Sequence, residues 1–402
     1  MTRALQLRRF DDRIFRILII LAVVGSFVLS IARILHEPSH FQPDLKVFYN
    51  SPLLLAQGQD PYDAIISGFV YPPIYLQIFR VFSSLFTYDQ FYWVFLFAKI
   101  LSFAILLAIW KKSFLKATRL DVFAIFVWLG FYSPVLVDFQ AGNVTVFETM
   151  VLFLAFLCFL NDRLNLFVFL IFLGASIKIT PIFFLILLLA APTRYSLRYF
   201  AFGCVGFLAF ALLNLSLFPD LTKQFILEAM NRITEPGYFN PSSLAFINDA
   251  LRSGLNHFRL IPSSSLVNVI YLAVGVWILW TSWSAWRLVK IVDEGNNYNL
   301  SFLVLFSILV YTLIMPRMKD YAYMIAIPSV LFAIERFEIL VPRWIAFVPL
   351  VLISAAARPP IFMILSKYYP LFVAGFFWYM YLRELKKQSV LSPNAGAVHF
   401  TG

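Results

Sequence analysis

LNLFVFLIFLGASIKITPIFFLILLLAA, residues 164–191, contains a single ionisable side chain, Lys178. A helix needs about 20 residues to cross a hydrocarbon core of ~30 Å. The stretch is long for one crossing, and divided at Lys178 it becomes two short apolar segments, 164–176 and 178–191. The choice decides on which side of a membrane every later loop lies. If the chain turns at Lys178, then the N-terminus, 111–119, 161–163, 193–198, 287–294, 336–343 and the C-terminal tail share one side and hold 19 of the 32 basic residues. The short connections opposite hold Arg317, Lys319, Arg358 and Lys367. A single continuous helix reverses the later loops and weakens that contrast. The positive-inside rule therefore favours the turn, with both termini cytoplasmic.

The remaining apolar stretches are roughly 14–35, 90–110, 120–138, 144–160, 197–218, 264–290, 299–316, 320–335, 341–356 and 360–382. Together with the divided stretch they predict an all-α polytopic membrane protein of about 12 spans forming one integral membrane domain over 1–402. Composition agrees: charged residues are 13% of the 402, against roughly 25% in soluble proteins, while 61% of the chain is hydrophobic. Forty-six Phe, 19 Tyr and nine Trp suit lipid contact and interfacial anchoring. A net charge of +11 in a soluble protein would suggest nucleic acid. Here the basic residues recur at segment ends, which fits membrane orientation and argues against a nucleic-acid partner. Arg3, Arg8, Arg9, Arg13 and Arg16 precede an apolar run reaching about Leu35 without a small-residue cleavage signature, so a retained first span is expected. Cys158 and Cys204 lie inside apolar runs and form neither a disulfide framework nor a thiolate metal site.

Two long connections, about 36–89 and 219–263, then face the non-cytoplasmic side, and 383–402 forms a cytoplasmic tail. PDLKVFYNSPLLLAQGQDPYD, 43–63, predicts an amphipathic interfacial helix followed by a turn at Gly58 to Pro61; a second apolar segment opens at Tyr71-Pro72-Pro73. The second connection contains GYFNPSSLAFINDALR, 237–252. Neither shows a separate globular domain or a repeat, so function is expected where these loops meet the outer ends of the spans.

The order of short motifs is specific: Asp44 opening a loop helix, GQDPYD at 58–63, YPP at 71–73, QAGN at 140–143, GASIKITP at 174–181, NPSSL at 240–244 and PRMKDYAY at 316–323. Over most of its length the chain resembles the polyprenol-phosphate-mannose-dependent α-mannosyltransferases, membrane glycosyltransferases of the GT-C superfamily. Members often have Gly-Gln-x-Asn and Asn-Gln-Ser where this chain has Gln140-Ala-Gly-Asn143 and Asn240-Pro-Ser-Ser243. These departures bear on donor sugar and acceptor more than on reaction class. The resemblance implies a GT-C-like bundle in the inner membrane of a bacterium, with its active site facing the periplasm or cell exterior. It also implies a polyprenyl-phosphate-linked hexose donor, a glycolipid or glycan acceptor, and transfer with inversion, without a cofactor.

In such enzymes an acidic residue of the first outer loop faces the acceptor hydroxyl, and single displacement needs one carboxylate base. Asp44 occupies that position as the candidate catalytic residue; Pro43-Asp44 also suits a helix N-cap or first-turn acid. Asp60 and Asp63 lie in ordinary turn chemistry. A departing phosphate calls for cations more than for a general acid. Lys178 is the leading candidate, although a lysine at a turn also snorkels to the interface. Arg317, Lys319 and Arg252 are further candidates for the phosphate. Tyr71, Asn143, Asn240, Asp320 and Tyr323 are candidates for the sugar or acceptor, and Asn commonly ties its own loop instead. Glu148 needs a polar partner if it faces the bundle interior, which would make it a support for the Asn143 loop.

Asp11-Asp12 lacks the DxD spacing used with nucleotide sugars and a divalent ion, and no His, Cys or carboxylate cluster has metal-ligand spacing. Walker and dinucleotide fingerprints are also missing. The competing classes are a flippase or transporter of a lipid-linked saccharide and a non-catalytic scaffold. A transporter would more often show two related halves. A scaffold would not need an outer-loop aspartate.

Overall fold

The computed structural model describes residues 43–63, 68–118, 120–190, 196–233, 240–256, 262–288, 297–337 and 367–391, with the isolated positions 17, 21, 25 and 32 ahead of them. Every regular element among the described residues is helical. The first long connection holds α1 (Pro43–Ala56) and α2 (Pro73–Leu85). Helix α1 buries Leu45, Phe48 and Pro52, spaced by three and four residues on one face. Gly58 follows at φ 74°, a left-handed conformation that glycine adopts without a Cβ clash. Both segments expected in this connection are therefore helical.

Helix α3 (Tyr88–Ile109) starts at a capping box in which Thr87 and Gln90 exchange side-chain and backbone hydrogen bonds. It continues through a π-helical turn to Phe114. The expected span 120–138 is instead broken: α4 (Leu120–Leu129) ends at a kink, and α5 (Pro134–Ala141) begins after it. Phe131 at φ 53° and Ser133 at φ 57° carry the break, a conformation that side chains with a Cβ rarely adopt. Helices α6 (Thr145–Leu160) and α7 (Leu164–Ile177) follow.

At Lys178 the backbone is extended, φ −132° and ψ 132°, so 164–191 is not one helix. The chain resumes as a 3-10 segment, Thr180–Leu185, and α8 (Ile186–Ala190). A Cβ built on Gly174 would lie 3.5 Å from the Cβ of Pro181, a proximity that only folding back produces. Pro181 reinforces the break, since it has no N–H to continue a helical ladder.

Helices α9 (Ser196–Leu217), α10 (Pro219–Ile233), α11 (Ser243–Asn256), α12 (Ser264–Leu288) and α13 (Asn297–Ile314) come next. A 3-10 segment, Asp320–Ala326, leads into α14 (Ile327–Arg336), and α15 (Tyr369–Leu391) completes the described chain. Thus α10 and α11 fill much of the second long connection, and the last helix runs beyond the expected limit at 382. The expected span 341–356 lies outside the described residues, as does nearly all of 14–35. Among the described residues, Tyr88–Phe114, Ser196–Leu217 and Ser264–Arg287 are long and apolar enough to cross a membrane, with shorter apolar helices beside them. Val205, Leu208 and Leu212 on α9 and Val269, Leu272 and Trp280 on α12 are exposed, an arrangement that lipid accommodates and water does not.

Two apolar cores result. The larger lies within the bundle, from α3 to α15. The smaller joins Leu45, Phe48, Tyr62, Phe69, Tyr71, Leu76, Phe91, Tyr92 and Val144, so the first long connection packs over the ends of α3 and α6. Phe48 stacks on Phe79 at 4.9 Å and meets Tyr71 edge-on at 5.2 Å. Of the polar residues singled out in the sequence, Asp44, Tyr71, Asn143 and Lys178 collect where these cores meet.

Candidate active site

Asp44 sits in the first turn of α1, where the helix dipole favours a carboxylate. Its Oδ2 accepts a hydrogen bond from Asn143 Nδ2 at 2.6 Å. The same amide donates to the Tyr321 hydroxyl at 3.2 Å. Asn143 owes its position to the end of α5, where Gly142 adopts φ 67° and turns the chain towards α6. Thr145 Oγ1 donates to Asn143 Oδ1 at 2.8 Å, which orients the amide so that its NH2 faces Asp44.

Thr145 in turn accepts from Lys178 Nζ at 3.1 Å, and Lys178 forms an ion pair with Glu148 Oε2 at 2.6 Å. Donors therefore point in one direction along Lys178, Thr145, Asn143 and Asp44. The chain joins the candidate cation to the candidate base. Asn143, Thr145 and Glu148 are buried, whereas Asp44, Lys178 and Tyr321 are half-buried. Lys178 also lies over the Tyr321 ring, 5.8 Å from its centroid. Its turn is held by Tyr75, whose hydroxyl is 2.8 Å from Ser176 Oγ, and by Tyr311, which donates to Thr180 Oγ1 at 2.8 Å.

Tyr71 closes the buried side. Burial first, then the charges of Asp44 and Glu148, push its hydroxyl well above the usual tyrosine range, against the opposing influence of Arg317 and a hydrogen bond with Asn143. It stays protonated at neutral pH. Tyr62 fixes the Tyr71 backbone by donating to its carbonyl at 2.9 Å. The charge of Arg317 reaches both Tyr71 and Tyr321, which brings it to the same cluster.

Other candidates have different surroundings. Asn240 is fully buried, and its Oδ1 accepts from the Met318 backbone N–H at 2.7 Å, tying the 219–263 connection to the short one that follows α13. Tyr323 is also fully buried and donates to the Pro241 carbonyl at 2.7 Å, so it braces that tie; its neighbour but one, Tyr321, is the tyrosine that accepts from Asn143. Lys319 and Asp320 are half-buried in the connection after Pro316, and Arg252 is exposed on α11. Asp60 accepts from the Tyr62 N–H at 2.8 Å, the turn role expected of it. Glu148 has the polar partner it needs, and that partner is Lys178 itself.

Thr145 and Tyr321 had no distinguishing signal in the sequence. Lys99 had one, a charge well inside an apolar helix. It is buried against Asp138, Nζ to Oδ2 2.7 Å, directly behind the Asn143 turn.

Comparisons with curated proteins and with solved structures return no match. A family model does match, and it covers residues 69–316, a span that includes Tyr71, Asn143, Thr145, Lys178 and Asn240. This favours an enzyme over a transporter or scaffold and requires a sugar donor and an acceptor. The chain belongs to glycosyltransferase family 87, a family of the GT-C type.

Proposed function

We propose that the protein transfers a hexose, mannose by resemblance, from a polyprenyl-phosphate donor to a glycolipid or glycan acceptor on the non-cytoplasmic face, with inversion. The observation that supports this most is the directed chain from Lys178 to Asp44, which puts a cation and a carboxylate on one half-open cluster. In this reading the acceptor hydroxyl attacks the anomeric carbon as the bond from that carbon to the phosphate oxygen breaks. Asp44 takes the hydroxyl proton, using the oxygen that Asn143 does not hold. The polyprenyl phosphate leaves with its negative charge facing Lys178 and Arg317. Tyr71 and Tyr321 offer hydroxyls to the sugar. The decisive assay gives purified full-length protein a polyprenyl-phosphate mannose donor and extracted membrane glycolipids, with glucose and galactose donors in parallel. Transfer from a nucleotide sugar alone would overturn the lipid-donor reading.

The topology that accompanies this reading has about 12 spans and both termini in the cytoplasm. Cysteine labelling with a membrane-impermeant reagent is expected to reach positions in 219–263 from outside and the Lys386-Lys387 tail only from inside. A cytoplasmic 219–263 would put the cluster on the wrong side of the membrane.

Transfer is also expected to survive chelation, because Lys178 and Arg317 can stabilise the phosphate charge that a divalent ion stabilises elsewhere. Loss of activity in EDTA that a divalent ion restores would contradict this.

A further inference from the structure

We propose that Lys99 is a positioning residue for the transfer: its ammonium fixes the Asn143 main chain, and through it the amide that orients Asp44. This rests on the reading of Asp44 as base. Lys99 lies in α3 with 1% of its surface exposed. The Lys99 ammonium donates hydrogen bonds to two carbonyls and forms an ion pair with one carboxylate. Nζ is 2.6 Å from the Asp138 carbonyl, 2.8 Å from the Asn143 carbonyl and 2.7 Å from Asp138 Oδ2. The Phe139 ring completes the enclosure, 5.0 Å from centroid to Nζ.

A lysine serving only to neutralise Asp138 would need just the carboxylate. This one also holds the two carbonyls that bracket the Gly142 turn. The Asp138 carbonyl additionally accepts from the backbone N–H groups of Gly142 at 3.1 Å and Asn143 at 3.3 Å, so one lysine gathers the whole end of α5. A cation at a helix C-terminus complements its orphan carbonyls. The result is that Asn143 is held from both sides, its carbonyl by Lys99 and its side-chain oxygen by Thr145. Its remaining group, the NH2, has a fixed direction, which is towards Asp44.

Without Lys99 the Asn143 carbonyl loses its partner and the turn relaxes. Catalysis is sensitive to displacements of about 1 Å. Lys99→Met is therefore expected to lower kcat by about tenfold while leaving the KM for polyprenyl-phosphate mannose within about threefold of wild type. The coupling is read from a double-mutant cycle. In an Asn143→Ala background, Lys99→Met is expected to cause little further loss; independent, multiplying losses would overturn the proposal. Hydrogen exchange provides a readout free of any substrate. Lys99→Met should lose protection at 138–145 with the rest of α3 and α6 unchanged, and either unchanged exchange at 138–145 or loss throughout the bundle would overturn it. Should Lys99→Met fail to fold, the Lys99→Met/Asp138→Asn variant removes both charges together, a change that buried pairs often tolerate. It too is expected to be slow with normal donor KM; wild-type turnover would refute the role. Asp44→Asn assayed alongside keeps the two claims apart: near-normal turnover there would remove the base assignment, while the cycle still reports on Lys99 and Asn143.

Discussion

Asp44→Asn is expected to reduce turnover by at least about 100-fold while leaving folding and donor binding near normal. A hydroxyl is a weak nucleophile at neutral pH, and a carboxylate that takes its proton as the new bond forms supplies roughly 10²- to 10⁴-fold in rate. The amide of Asn143 still finds an acceptor in the variant, because the introduced asparagine can turn its side-chain oxygen towards it at the position now held by Asp44 Oδ2. Much of the helix-start function also survives, since Asn and Asp are comparable there. The variant thus removes the base and keeps the local structure. Asp44→Glu keeps the base but moves it by one methylene, and little recovery is expected because position matters as much as basicity. Single-turnover transfer of radiolabelled hexose, with a thermal melt to check folding, measures both. Near-wild-type turnover in a folded Asp44→Asn variant would move the search to Asp60, Asp63 and Asp320.

The second large effect is at Lys178. This residue is ion-paired with Glu148, and removing the lysine alone strands a carboxylate that is only 8% exposed. Such a deletion is costly to the fold in itself. Lys178→Met is therefore best compared with Lys178→Met/Glu148→Gln, in which neither charge remains. If the ammonium faces the donor phosphate, both variants lose one charge-assisted contact, about 1.5–3 kcal/mol, or roughly 10- to 150-fold in use of the donor. Use of the acceptor should change far less. Donor titrations at saturating acceptor, and the reverse, separate the two. A folded double variant with unchanged donor kinetics would assign Lys178 to holding Glu148 and the interface.

The sequence by itself determined that the chain is a helical membrane protein, because an apolar composition and regularly spaced basic ends leave little else possible. It also carried the break at Lys178, since Pro181 and the charge bias both oppose a continuous helix. The helix at Asp44 was legible too, through its turn residues and the Pro-Pro start that follows. Span 120–138 reads as continuous although Gly130 and Pro134 flank the break; what the sequence did not show is that Phe131 and Ser133 take up the left-handed conformations, with Phe131 stacked on Tyr323 at 5.8 Å. The partners in the cluster were likewise a tertiary matter. Tyr321 and Tyr323 are both tyrosines of one motif, and only the direction of the 3-10 segment sends the first to Asn143 and the second to Pro241. Thr145 looked like any residue opening a helix. Lys99 looked like a stray charge until α5 ended beside it. Hydrogen bonds between residues 99 and 143, or 44 and 143, depend on distances that no local pattern encodes. Composition decided where the chain lives; the fold decided which polar groups meet.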